Sequence, residues 1–408
     1  MKITKISEFR AHLKEKKEPK EALNTSSALG FAIFDAINFV DENLWHQIIP
    51  ENKLLMRYPY LTAVENSSEI THKHRYVLIY KNDEPVAAAI FNIVDIGGED
   101  FGSVKQEIKA STQRMVDKLK GKATLRVLIC GNVHLSGEHG FHYNDEIKPR
   151  DAYHALAEAA YRIRQTERYR GRVHIQLIKD FYHGEFENLE HLKLFKYRKF
   201  EVDPNMIVYI RDTWKIFDDY LDSMKSKYRK RATSAVKKGL ALERRILTAE
   251  EIKEFQERIN ELYENVAAKA KFRIIKIPVE YFYYLKENLQ EDFEFLGYFL
   301  DGKMVGFTCS IFWGENCEGH TIGLDYEFNT KYSIYQNILY DDIKTAIKHN
   351  KKTVIFGRTA IEIKSAVGAE PADMQCFIRH PNAITNRLLK PIFRHIKTSN
   401  WTQRSPFK

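Results

Sequence analysis

One order of elements occurs twice along this chain, and that repetition constrains the fold more than any single motif. The first half reads as a hairpin over 76–80 and 86–94 turning at Asn82 and Asp83, a strand over 125–135, a helix over 150–163 and a strand over 173–181. The second half repeats the order: a hairpin over 293–300 and 303–313 turning at Asp301 and Gly302, a strand over 317–326, a helix over 332–349 and a strand over 353–357. A meander supplies antiparallel strands, and a crossover helix returns the chain to a strand parallel to the third. Where the parallel pair parts, a ligand can enter. The pattern predicts an α/β (α+β) protein of two lobes, each a mixed, mostly antiparallel sheet flanked by helices. The lobes are expected over 1–212 and 213–408, as two splayed sheets facing each other across a gap.

The chain is long enough for two such units: 408 residues, 44% hydrophobic and 12% aromatic, a composition that supports packed cores and argues against disorder. Its net charge of +9 favours anionic partners, or serves solubility alone. The four cysteines, Cys130, Cys309, Cys317 and Cys376, form no close pair and no metal spacing, so reduced, packed thiols are expected. The start is charged over 2–20 and has no apolar signal segment, and the longest apolar run, 86–94, is too short to span a bilayer. These features predict a soluble, cytoplasmic protein with no membrane span.

Between the halves, 197–202 and 206–211 alternate like a hairpin around Asp203 and Pro204. A helix is expected over 213–239, capped by Asp212 or Thr213 and ended by Gly239. Its apolar stripe is Phe217, Leu221, Met224, Tyr228, Ala232 and Ala235, and its other sides carry Lys225, Lys227, Arg229, Lys230, Arg231, Lys237 and Lys238. Such a face either holds phosphates or is simply solvated. Further helical patterns cover 58–65, 104–119, 250–269 and 279–288, while 31–49 is mixed. A faint echo links 195–210 with 363–378, with Lys196, Met206 and Ile210 matching Lys364, Met374 and Ile378.

Five groups of residues could carry chemistry. Lys230 and Arg231 belong to the basic helix. Arg358 and Lys364 lie in a segment following a buried strand, where Arg358 can grip a carboxylate or phosphate with two hydrogen bonds and Lys364 can add a point charge. Glu318 and His320 share one face of a strand by its period of two, with Asp325 on the other, and either could take a proton from an attacking amine. An exposed strand face is the plainer alternative. His134, Glu138, His139 and His142 lie among Gly137 and Gly140, in a spacing unlike a helical zinc motif. They predict a loop that shapes a first-lobe pocket, with His139 among the contacts, and no metal. Tyr326, Tyr332, Tyr335 and Tyr340 cluster near a helix start; the phenol of Tyr335 could protonate a leaving group, or pack with Leu339, Ile343 and Ala346.

The paired order, the basic segment KSKYRKRATSAVKKG and the segment FGRTAIEIKSAVGAEP together resemble the FemAB-like acyltransferases, tandem members of the GNAT (acetyltransferase-fold) superfamily. YLTAVENS and the hairpin ending VAAAIFNIV resemble the opening of the peptidoglycan-biosynthesis-like members, and the likeness covers most of 58–379. The resemblance implies two acetyltransferase-like lobes and transfer of an acyl or aminoacyl group to a small-molecule or peptide amine. Acyl-coenzyme A or aminoacyl-tRNA would be the donor, with no metal. Arg358 and Lys364 look similar to the family's glycine–arginine and lysine positions after the fifth strand, and Lys230 and Arg231 fall in its basic helix. The chain departs from the coenzyme A-binding pattern at the crossover helices, where EFNTKYSIY and NDEIKPRD replace a glycine-rich loop. An inactive tandem fold that binds RNA or another polyanion is the alternative. One continuous sheet, or crevices plugged by side chains, would take away the argument that leads from a gap between two sheets to acyl transfer.

Overall fold

The computed structural model describes residues 29–68, 72–97, 124–184, 188–269, 275–393 and 401–408. The charged arm expected over 2–20 and the helix expected over 104–119 lie outside the described residues. The first half runs β1 (Gly30–Phe34), α1 (Glu42–Ile48), α2 (Tyr58–Ser68), β2 (Lys73–Lys81), β3 (Glu84–Ile96), β4 (Leu125–Cys130), β5 (Phe141–Tyr143), α3 (Pro149–Thr166), β6 (Ile175–Tyr182) and β7 (Arg198–Tyr209). The second runs α4 (Phe217–Ser223), α5 (Ser226–Lys238), β8 (Glu243–Ile246), α6 (Ala249–Glu254), α7 (Gln256–Ala267), α8 (Glu280–Leu289), β9 (Phe293–Leu300), β10 (Lys303–Trp313), β11 (Asn316–Leu324), α9 (Tyr326–Tyr332), α10 (Ile334–Lys348), β12 (Thr353–Ile355), α11 (Ile361–Ala366), β13 (Glu370–Arg379) and α12 (Ala383–Phe393).

Both hairpins turn where the sequence demands. Asn82 and Asp83 have φ of 51° and 67°, and Asp301 and Gly302 have 50° and 79°. A two-residue turn that matches strand twist needs positive φ at both central positions, which these residue types tolerate. Behind the first turn, alternation sends Tyr76, Leu78, Ala88 and Ile90 to one face, packed with Tyr60 and Leu61 of α2. It sends Val77, Ile79, Ala87, Ala89 and Phe91 to the other, against the alanine-rich side of α3. A sheet covered on both faces needs near-continuous apolar strands, and β3 is buried along almost its whole length.

The expectation of two separate sheets does not hold. The strands form one path, β1-β2-β3-β4-β6-β13-β7-β12-β11-β10-β9-β8, with β5 paired to β3. The path is continuous because the halves exchange their last strands. β7 closes the first half yet pairs antiparallel with β12, and β13 closes the second yet pairs antiparallel with β6. The exchanged strands also pair with each other, from Ile207 opposite Glu370 to Arg198 opposite Ile378. The echo between 195–210 and 363–378 falls on this exchanged pair. Each half keeps its parting. β4 and β6 are paired in parallel only over Val127–Cys130 with Ile175–Ile178, and β11 and β12 only from Asn316 opposite Thr353 to Glu318 opposite Ile355.

Two further expectations are corrected. The hairpin around Asp203 and Pro204 is one strand, β7. Ala372 faces Asn205 and Met374 faces Val202, so Asp203 and Pro204 together oppose the single residue Asp373. A bulge of this kind accepts a proline, whose missing N–H leaves no ladder bond unmade. The helix expected over 213–239 is broken into α4 and α5 by extended backbone at Met224 and Lys225. There the Lys225 N–H donates to the Pro406 carbonyl, and Met224 bridges to Phe407 of the C-terminal segment. The apolar stripe still packs as one: Met224, Ala232 and Ala235 are buried, with Phe217, Leu221 and Tyr228 against the same core.

Candidate active site

The helices that precede the two hairpins, α2 and α8, pack against each other. Each brings one fully buried tyrosine to the centre, Tyr60 and Tyr281. Their hydroxyls are 3.2 Å apart. Asn132 Nδ2, just after β4, donates to the Tyr60 hydroxyl at 2.8 Å, and His320 Nε2 on β11 lies 2.9 Å from that of Tyr281. His134 stacks on the Tyr281 ring at 4.6 Å between centroids, and His72 lies 5.5 Å from His134. Among the described residues neither ring nitrogen of His134 has a hydrogen-bond partner, and His320 Nδ1 also lacks one.

These imidazoles are neutral. Burial pushes His320 and His72 down to about 3 and His74 to about 4, and it holds His134 well below the ordinary value, with repulsion from His72 and His320 adding to the effect. They offer hydrogen-bonding positions rather than stored protons.

Beside them lies a buried cluster of carboxyls and lysines. Glu318 is 1% exposed and its Oε2 has no hydrogen-bond partner among the described residues. Burial pushes its carboxyl up to about 8, against the pull of Trp313, Lys179 and Lys364. Lys364 is 4% exposed, and its Nζ donates to the Phe356 carbonyl at 2.6 Å. Burial lowers it to about 7, although Asp342 and Glu318 pull the other way. Asp342 is raised to about 8 by burial and then by Asp341, while Thr308 Oγ1 donates to it. Desolvation outweighs attraction throughout, so Glu318 holds a proton at neutral pH and becomes a base just above it.

β11 is irregular where this cluster meets the histidines. Ser310 faces Gly319 and Cys309 faces Thr321, so His320 is an extra residue with no opposite number in β10. The last β11–β12 pair is Glu318 with Ile355. The strand therefore bulges and parts from its parallel neighbour within two residues, which takes the backbone at His320 out of both ladders. In the first half the corresponding parting is filled. Lys179 Nζ donates to the Asn132 carbonyl at 2.7 Å and to the Leu135 carbonyl at 2.8 Å, and it contacts Asp180 at 2.6 Å.

Arg358 spends its guanidinium on the protein itself. Its Nη2 donates to Asp180 Oδ2 at 2.6 Å and its Nε to Ser136 Oγ at 2.9 Å, tying the loop after β12 to the first half. Burial would raise the Asp180 carboxyl, but Lys179 and Arg358 outweigh it and hold it below its ordinary value. His139 packs edge-on to Trp313 at 5.4 Å and burial lowers it to about 4; beside it Glu138 pairs with Lys53 at 3.0 Å.

Of the residues expected from sequence, Glu318, His320 and Lys364 stand at the parting of β11 and β12, Arg358 ties the loop after β12 to the first half, and His139 packs on Trp313. Tyr335 packs among the apolar clusters of α10, its phenol raised by burial and then by Asp342. Lys230 and Arg231 are exposed on α5. Tyr60, Tyr281, Asn132, Lys179, Asp180 and Asp342 were not expected. The signal for the tyrosines was present, since a tyrosine-rich helix precedes each hairpin.

The residues at the start of α10 do not fit a pyrophosphate held in the usual acetyltransferase manner. α9 occupies the place of a glycine loop, Ser333 takes a left-handed conformation, and the Tyr335 N–H already donates to Asn329 Oδ1 at 2.9 Å.

No known protein family matches this chain, and neither does any curated protein. Among solved structures, FemX matches with a TM-score of 0.54 at 14% identity, over 88% of this chain and 100% of FemX. A tandem GNAT protein from the clavulanic acid biosynthesis pathway matches with a TM-score of 0.51 at 10% identity, over 87% of this chain and 99% of that protein. The likeness is one of fold alone: a mixed and mostly antiparallel sheet flanked by helices, shared with FemX and with that tandem GNAT protein. No helix among the described residues is long and apolar enough to cross a membrane.

Proposed function

We propose that this protein is an N-acyltransferase that moves an acyl or aminoacyl group from an activated carrier to an amine. Its two lobes, 1–212 and 213–408, each lend a strand to the other, and the reaction takes place in the second. The observation that carries this reading is the coincidence, at Glu318–His320, of a strand bulge, a parting of parallel strands and a buried carboxyl with an unpartnered oxygen. A carbonyl placed there would meet backbone released from the ladder. As the amine nitrogen bonds to the carbonyl carbon, Glu318, once ionised, takes the amine proton and returns it to the carrier's oxygen or sulfur as that bond breaks, and Lys364 balances the charge of the ionised Glu318. His320 and Tyr281 position the acceptor. Arg358 positions the loop after β12 rather than gripping substrate. The occupied start of α10 favours a donor recognised by something other than a pyrophosphate at that helix, such as aminoacyl-tRNA, over an ordinarily bound acyl-coenzyme A. A small-molecule or peptide amine is the acceptor.

The test is incubation of the folded protein with panels of acyl-coenzyme A and charged tRNA, with mass spectrometry of candidate amines. Transfer that falls at least a hundredfold in Glu318→Gln supports the reading. No transfer from any donor, or full activity in that variant, removes it. A second reading, a catalytically inactive fold that binds RNA, draws on the exposed cations of α5. It predicts salt-dependent RNA binding that weakens when Lys230 and Arg231 become alanine, without any acyl transfer.

A further inference from the structure

A cavity of about 610 Å³ lies at the other end of the first-half sheet, lined by Arg164, Gln165, Arg168, Arg172 and Val173. It sits before the start of β6, while Lys179 and Asp180 sit near that strand's far end, roughly 20 Å away at the usual rise per strand residue. Three elements bring the arginines together. The last turn of α3 carries Arg164, the one-turn helix Glu167–Tyr169 carries Arg168, and the loop into β6 carries Arg172. Arg379, at the end of β13 opposite Gln176, stands next to Arg164.

The surrounding chain shows what a structural arginine looks like here. Arg75 pairs with Glu167 and Asp35, Arg126 with Asp95, Arg162 with Glu158, and Arg170 with Asp35. Arg164, Arg168, Arg172 and Arg379 have no carboxylate partner among the described residues. Arg164 is crowded by like charge: burial lowers it, and Arg379 and then Arg172 lower it further; burial lowers His174 and His380 too, with Arg172 adding to it. Arg198 Nε, on the neighbouring strand, is buried without a hydrogen-bond partner among the described residues. A helix C-terminus favours a cation in its last turn, and that accounts for Arg164. It does not account for Arg172, which belongs to another element, while Arg379 lies over the Tyr197 ring.

We propose that this cavity binds a small phosphate-bearing anion of nucleotide size. Its volume falls in the range of small-molecule pockets, about 300–1,000 Å³. Guanidinium groups arriving from several directions suit the oxygens of a di- or triphosphate, each taking parallel hydrogen bonds. The site is independent of the acyl-transfer reading, because it shares no residue with the Glu318 cluster.

The experiment is calorimetric titration of the full chain with a nucleoside triphosphate and with inorganic tripolyphosphate. The proteins compared are wild type, the double variant Arg164→Gln/Arg172→Gln, the single exposed variant Arg172→Gln, and Lys253→Gln, an exposed lysine of α6, as a control. Saturable binding is expected, weakened at least tenfold in the double variant and several-fold in Arg172→Gln, unchanged in the control, and reduced by added salt. Near-UV circular dichroism checks folding, and Arg172→Gln serves as the deciding variant should the double one misfold. Equal affinity in wild type and Arg172→Gln would overturn the proposal. So would binding of a 20-nucleotide RNA with no binding of either phosphate ligand, which would make the patch a nucleic-acid face instead.

Discussion

The hydroxyls of Tyr60 and Tyr281 lie 3.2 Å apart, one from the helix before the first hairpin and one from the helix before the second. Asn132 continues this contact on one side and His320 on the other, so a chain of hydrogen bonds crosses from the loop after β4 to the bulge of β11. The contact joins the halves at equivalent places in their element order, and it fixes where His320 sits.

Removing either hydroxyl leaves a buried group unpartnered. Tyr281→Phe strands His320 Nε2, and Tyr60→Phe strands Asn132 Nδ2. Each change is expected to cost about 1–3 kcal/mol in denaturant unfolding. Because the two hydroxyls share a bond, the double variant should lose less than the sum of the singles, by about 0.5–1.5 kcal/mol. Strict additivity would mean that the tyrosines do not interact in solution.

Arg358 tests whether the loop after β12 is held by charge. Asp180 is 0% exposed and keeps Lys179 when Arg358 is removed. Arg358→Ala should therefore destabilise by about 1.5–3 kcal/mol, the range for a hydrogen bond to a charged group. Arg358→Lys restores the charge but not the second hydrogen bond to Ser136, and should recover part of the loss in thermal melts.

The buried histidines predict acid sensitivity. Folded His72 and His320 titrate at about 3, and His74 and His139 at about 4, whereas unfolded histidine titrates near about 6.5. The unfolded chain therefore binds protons that the folded protein refuses. Stability is whole above pH of about 6.5 and is lost progressively as pH falls towards about 3–4. Melting temperature measured from pH 7 to pH 4 should drop steeply, and less so in His72→Gln.

Glu318 acts in the opposite direction and at higher pH. Its folded carboxyl, raised to about 8, keeps a proton that the unfolded chain releases near about 4.3. Its contribution is whole below about 4.3 and is lost as pH rises through about 8. Glu318→Gln removes that loss, so the variant should gain on wild type in melting temperature between about pH 6.5 and 8.5, where the histidines are silent. A constant difference across that range would place the Glu318 carboxyl in water.

The hairpins, their turns at Asn82–Asp83 and Asp301–Gly302, and the repeated order of strand, helix and strand were determined by the sequence alone, because alternation and turn chemistry are local. Glu318 and His320 were legible for the same reason, as neighbours on one strand face. The exchange of β7 and β13 was not, since a strand's own residues do not name its partner. Asp203 and Pro204 read as a turn because proline usually breaks a strand, and only the opposing Asp373 makes them a bulge. Tyr60, Asn132, Lys179 and Tyr281 come from four elements far apart in the chain. Their hydrogen bonds exist only once both halves have closed, and so the tertiary structure alone decided what surrounds His320 and Glu318: burial among distant residues sets their protonation, and no pattern of neighbours along the chain carries that information.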